Sequence, residues 1–153
     1  MYRLKVSREF DMQLDIPDFS IRYHDIMNSK KKNIIYIKDV FDNSTFRYRT
    51  YNMMQAMEES TKYYVTCFLI EELDFLIQNL EKISCVILQR CKWSFQLSNF
   101  IHLLKKHKIK VVYDMDDLIY NPQYVPEYLN NSGYYDEINI DMHFAVAARY
   151  EMV

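Results

Sequence analysis

A single glycine, Gly133, stands in the 153 residues, and its scarcity excludes a whole class of sites. Phosphate-cradling loops need several backbone positions that approach a ligand without a Cβ, so Walker and GxGxxG nucleotide sites are ruled out. Cysteine is also sparse: Cys67, Cys85 and Cys91 are odd in number, lack CxxC spacing and sit in apolar runs such as "YYVTCFLI" and "SCVILQRC". They read as reduced core thiols of a cytoplasmic protein, with neither a disulfide framework nor a zinc site. No run reaches the roughly 18 apolar residues a membrane helix needs, and the polar start "MYRLKVSREF" does not read as a signal peptide. A basic excess is missing too. The formal charge of −2 argues against a general nucleic-acid binder, and Lys30, Lys31 and Lys32 read as a solvated lead-in to a strand.

What is present suits a folded domain. Half of the residues are apolar and about a quarter charged, outside the disordered regime. At roughly 100–200 residues per domain, the length points to one unit. Residues 1–32 alternate weakly and contain Pro17, which predicts an N-terminal extension forming an edge strand or hairpin. From residue 33 to 153 the pattern is regular. Short apolar runs at 33–38, 62–70, 85–90 and 109–115 predict four strands; "FRYRTYNMMQAMEES", "EELDFLIQNLEKI" and "SFQLSNFIHLLKKHK" predict the helices between them. Strands alternating with helices specify α/β architecture: a Rossmann-like, mostly parallel sheet with helices on both faces. In the third helix Phe95, Leu97, Phe100, Ile101 and Leu104 approximate one apolar face, and His102 reads as a core or boundary histidine. Met53, Met54 and Met57 read as core filling. After Asp117 the pattern loosens, then "YDEINIDMHFAVAARYEMV" predicts a last helix that reaches the chain end without a stop signal, which suggests a continuing domain.

In open α/β sheets ligands bind beyond the carboxyl ends of the strands, so three loops are candidates. The first holds Asp39, Asp42, Asn43 and Ser44, then Phe46, Arg47, Tyr48 and Arg49. Arg47 and Arg49, two apart, project differently from a helix, so one of them faces a cleft. Arginines at a helix head oppose its dipole, which weakens a purely stabilising reading and favours anion binding. In the second loop Arg90 leaves a buried strand, to contact an anion or to pair with Asp114 or Asp116 on the neighbouring strand. The third is "YDMDDLIYNPQY", residues 113–124. Asp114 and Asp116 share a side of an extended strand and Asp117 opposes them, so the three do not form one metal cage; Asp117 suits a helix or turn cap.

The segments "DNSTFRYRTYNMMQAM", "ISCVILQRCKWSFQLSNFIHLLKKHKIK" and "VVYDMDDLIYNPQY", in that order, resemble the N-terminal domain of GT-B-fold glycosyltransferases of bacterial surface-polysaccharide biosynthesis. The resemblance implies half of a GT-B fold: the acceptor side of an interdomain cleft, with most of a nucleotide sugar held by a C-terminal domain that this chain lacks. It implies transfer to a glycan or lipid-linked acceptor, inactivity of this chain alone, and neither cofactor nor metal. Asp114 and Asp116 become the catalytic candidates. Arg47, Tyr48, Arg49, Arg90 and Asp117 become cleft contacts, with Tyr120 and Tyr124 as acceptor walls. A cytoplasmic protein is implied, at the inner membrane face by peripheral association, and a homodimer through the surface its missing domain would cover. The glycine-rich turn common after the first strand of other GT-B enzymes is absent, which puts donor-phosphate contact by that backbone in doubt. Two other readings compete. Asp114 and Asp116 have the spacing of a haloacid-dehalogenase-like phosphatase, though on a late strand and followed by Asp117-Leu118 instead of Gly-Thr. A non-catalytic α/β binding or assembly module is the other.

Overall fold

Valine- and isoleucine-rich runs buried on both faces form the sheet's centre. The computed structural model of the chain describes residues 14–41, 45–91 and 93–114. Its elements are α1 (Phe19–Asn28), β1 (Lys32–Lys38), a π-helical turn (Arg47–Tyr51) continuing as α2 (Asn52–Met57), β2 (Tyr63–Leu69), a 3₁₀ turn (Ile70–Glu72) leading into α3 (Leu73–Ile77), a second 3₁₀ turn (Leu80–Lys82), β3 (Ile83–Gln89), α4 (Phe95–Lys106) and β4 (Lys110–Asp114). The four strands are parallel in the order β2-β1-β3-β4. This is a Rossmann-like α/β domain, and its connections reverse direction between β1 and β3, where such sheets carry their ligand crevice.

Alternation along the strands divides the core. Ile35, Ile37, Phe68, Val86 and Leu88 pack against α1, α3 and α4, which contribute Ile26, Leu73, Leu76, Leu97, Phe100, Ile101 and Leu104. On the opposite face Tyr36 and Cys67 meet Phe46 and Tyr51 of the segment between β1 and β2, with Val65, Ile87 and Met54 at the margin. Helices therefore cover both faces. Phe46, Phe68 and Phe100 are fully buried, and each contributes about 1.5–3 kcal/mol of transfer free energy.

Several local expectations change. Where residues 1–32 predict an edge strand or hairpin, residues 19–28 form α1; Phe19, Tyr23 and Ile26 lie at helical spacing, and the Asp18 carbonyl accepts the Ile21 and Arg22 N–H groups at 3.0 and 3.1 Å. The expected helix over 71–83 is broken into turns. Asn79 leaves helical geometry (φ −140°, ψ 43°); its side chain donates to Tyr23 Oη at 2.7 Å and to the Phe75 carbonyl at 3.4 Å, the second being the local competition that disfavours asparagine inside helices. Phe95 is not on the apolar face of α4: it opens the helix and is 82% exposed. His102 is exposed, as is Met53, while Met54 and Met57 are only half-buried. The last predicted helix, with His143, lies outside the described residues.

Two helix ends show how the sheet edges are set. The Ser94 side chain caps α4 by accepting the Leu97 N–H at 3.1 Å. At the other end Lys108 takes φ 56°, its N–H reaches the Lys105 carbonyl at 3.0 Å, and Ile109 N–H reaches the Leu104 carbonyl at 2.9 Å. That double bond pattern is a Schellman motif closed by lysine where glycine is usual.

Candidate functional site

The carboxyl ends of the strands carry polar side chains where a parallel sheet is ordinarily apolar. Gln89 of β3 pairs in register with Asp114 of β4, and Ile37 with Leu88, so Lys38 and Gln89 continue the row. Lys38, Gln89 and Asp114 thus cross the sheet on the face covered by the π turn. Lys38 is buried, with its ammonium 5.5 Å from the centre of the Phe46 ring. Gln89 is fully buried, and neither amide atom has a hydrogen-bond partner among the described residues; the same holds for Thr50 Oγ1 in the π turn. Native structures satisfy nearly all such groups, so an orphaned amide on the strand-end row marks the site as unusual.

The π turn aims its arginines differently. Arg49 Nη1 donates to Asp114 Oδ1 at 2.6 Å, while the Arg47 guanidinium lies 5.8 Å from the centre of the Tyr51 ring. Arg49 thus reaches the strand end. Tyr48 between them is 72% exposed. π turns of this kind are rare and are found often at functional sites.

Arg90 holds φ 51°, a left-handed conformation unusual for a side chain of this size. Its N–H donates to the Asp114 carbonyl at 3.0 Å and its guanidinium to Thr45 Oγ1 at 3.1 Å. Of the two carboxylates expected as partners for Arg90, Asp114 is engaged by Arg49 while the Arg90 N–H holds the Asp114 carbonyl, and Asp116 lies outside the described residues. Strain of this sort concentrates where function fixes a backbone. Burial, reinforced by the Asp114 and Cys85 charges, raises the Tyr36 phenol beneath this cluster. Burial likewise raises Tyr113, with Cys91 and Asp39 adding and Arg90 opposing.

Beside this cluster an open groove of about 340 Å³ is lined by Asp39, Ile70, Glu71, Trp93, Ser94 and Gln96, that is, by the loops after β1, β2 and β3. Asp39 and Trp93 stand in loops that the sequence marks as candidates; Ile70, Glu71, Ser94 and Gln96 do not.

A buried ion pair at the end of β2 escaped the sequence reading altogether. Arg22 of α1 makes a two-pronged contact with Glu72 at 3.0 and 2.8 Å and also donates to the Pro17 and Cys67 carbonyls. Glu72 Oε2 accepts the Leu69 N–H at 2.8 Å. With every prong engaged, this pair fastens α1 to the strand end and is structural. Fifty positions separate its members, and no local signal links them.

Asp116, Asp117, Tyr120 and Tyr124 lie outside the described residues, as do Asp42, Asn43 and Ser44. Among the described residues no group of His, Cys, Asp and Glu side chains is arranged to hold a metal ion. No described helix is long and apolar enough to cross a membrane. Comparison of the chain with protein-family models, with curated proteins and with solved structures finds no match.

Proposed function

We propose that this chain is the acceptor-side half of a glycosyltransferase, acting on a glycan or lipid-linked acceptor while a second domain holds the nucleotide sugar. The observation that carries the reading is the convergence of Arg49, left-handed Arg90 and Asp114 beside an open groove at the β1/β3 reversal of the sheet. The family resemblance of three sequence segments supports it independently. In this reading the arginines counter phosphate charge near the transferred group. Asp114, whose Oδ1 is held by Arg49, orients an acceptor hydroxyl through its other oxygen. Preorganisation of that kind contributes to transfer by positioning, without a covalent step on this domain.

The phosphatase alternative draws no support from the same geometry. An aspartate paired with an arginine at 2.6 Å has its charge neutralised, which weakens it as a nucleophile.

The test combines turnover with mapping. A polyprenyl-diphosphate disaccharide added to the chain is expected to shift amide resonances of Arg47 to Thr50, Arg90 and Asp114. Labelled nucleotide sugars are expected to give no transfer with this chain alone and transfer once a donor-binding domain is joined to it. Transfer by the 153 residues alone at a normal enzymatic rate sinks the reading.

A further inference from the structure

The strand-end edge has two chemically distinct parts. On one side stand Lys38, Arg49 and Arg90; on the other is the groove of about 340 Å³ lined by Asp39, Ile70, Glu71, Trp93, Ser94 and Gln96. That volume falls within the roughly 300–1,000 Å³ of small-molecule sites. Among the described residues its charged lining side chains are the carboxylates of Asp39 and Glu71, which offer phosphate and sulfate no attraction. Its apolar wall is Ile70 and Trp93; Phe95, the first residue of α4 and 82% exposed, lies outside the lining and meets Trp93 edge to face with ring centres 4.8 Å apart.

We propose that this groove binds a neutral, unphosphorylated sugar ring. The identification follows from matching chemistries. A pyranose offers a face of weakly positive C–H groups, which suits the negative π face of an aromatic ring. Its hydroxyls donate to carboxylates in charge-assisted bonds, and Asp39 and Glu71 supply these from two different loops. Gln96, whose amide lies 3.4 Å from Asp74 Oδ1, can both donate and accept at the groove wall. The proposal rests on the acceptor-side reading and sharpens it: the sugar lies on the aromatic and acidic side, and any phosphate lies on the arginine side.

Trp93 is the chain's sole tryptophan, so its fluorescence reports this groove directly. Methyl α-glucoside, methyl α-galactoside and maltose are titrated into the full chain, with glucose 1-phosphate as the anionic comparison. The expected result is a saturable change in Trp93 emission with at least one neutral sugar and tighter binding of it than of glucose 1-phosphate. Phe95→Ala, which removes an exposed ring and leaves the thermal midpoint unchanged, weakens that binding about tenfold. Asp39→Asn weakens neutral-sugar binding and narrows the gap to the phosphate ester. Preference for glucose 1-phosphate, or a Phe95→Ala variant that binds as before, overturns the proposal. If a lipid-linked glycan shifts the Arg49 and Arg90 resonances while Trp93 stays silent to every sugar, this subsite fails and the acceptor-side reading stands. Silence of both probes overturns both.

Discussion

Arg49 and Asp114 meet at 2.6 Å across the space between the π turn and the last residue of β4, sixty-five positions apart in the chain. The contact joins two elements that share no backbone ladder. Their side chains are 37% and 24% exposed, so solvent screens the pair and its coupling is about 0.5–1 kcal/mol. A double-mutant cycle of Arg49→Ala and Asp114→Asn, followed by urea unfolding, is expected to return that coupling and to lose most of it in high salt. A coupling indistinguishable from zero in low salt would show that the two residues do not meet in solution.

The pair between Arg22 and Glu72 behaves differently because its side chains are only 5% and 13% exposed. Removing one partner strands the other charge in the core, and Glu72→Gln or Arg22→Met is expected to cost about 3 kcal/mol. The double replacement is expected to recover part of that loss. Denaturant midpoints of the two single variants and the double variant decide it: additive losses would show that the pair is not coupled.

Two non-glycine residues with left-handed backbones permit a controlled comparison. Lys108 closes α4 and Arg90 leaves β3, at φ 56° and 51°. Lys108→Gly relieves the Cβ clash and is expected to stabilise the chain by about 0.5–1 kcal/mol. Arg90→Gly gains the same relief but forfeits the guanidinium contact with Thr45, so its net effect on stability is smaller, and acceptor binding falls with it. Equal gains in stability with unchanged binding for both would remove Arg90 from the site.

The sheet was legible because its strands are short, β-branched and continuous. "NIIYIK" and "CVILQR" lie within β1 and β3 almost residue for residue, apart from Arg90 at the exit. Arginines in the loops were legible because of their places: Arg90 ends the run "CVILQR", and Arg47 and Arg49 stand at the head of the helical segment after the first strand. The π turn was not, since Arg47–Tyr51 has no composition that separates it from an α-helix. Trp93 stood in the loop after the third strand with no role given to it, and Phe95 appeared only as part of a helical pattern; the exposure of Phe95 comes from its place at the first turn of α4, before the apolar stripe reaches the sheet. Arg22 and Glu72 depend on packing between distant segments, which no local pattern encodes.

Alkaline conditions should weaken the fold. Burial pushes the Cys67 thiol from 9.0 up to about 12, and burial with the Asp25 charge pushes Tyr64 from 10.0 up to about 12. Both groups keep their proton longer in the folded chain than in the unfolded one. Their contribution is therefore complete below about pH 9, falls as the unfolded chain ionises, and is lost once pH passes the folded values. Each proton so linked lowers stability by about 1.4 kcal/mol per pH unit within that window. Unfolding free energies measured from pH 8 to 11 are expected to decline, less steeply in Cys67→Ala. A flat profile would show that these groups are solvated.

Gln89 gives the clearest separation of stability from function. Its side chain is fully buried at the middle of the row between Lys38 and Asp114, yet neither amide atom finds a partner among the described residues. An unsatisfied buried amide costs about 1–3 kcal/mol, whereas an apolar group of similar shape carries no such penalty. Gln89→Met is therefore expected to stabilise the chain by about 1 kcal/mol, seen as a higher urea midpoint at unchanged slope. Were packing the residue's sole role, methionine would serve better. A sequence that keeps the costlier amide in register with Asp114 is consistent with a polar group held ready for the strand-end site, the kind of local conflict that functional sites retain. The stabilised variant is accordingly expected to bind the polyprenyl-diphosphate disaccharide more weakly. A variant that gains stability and binds as well as the parent would assign Gln89 no role there, and one that loses stability would show that its amide is satisfied in solution.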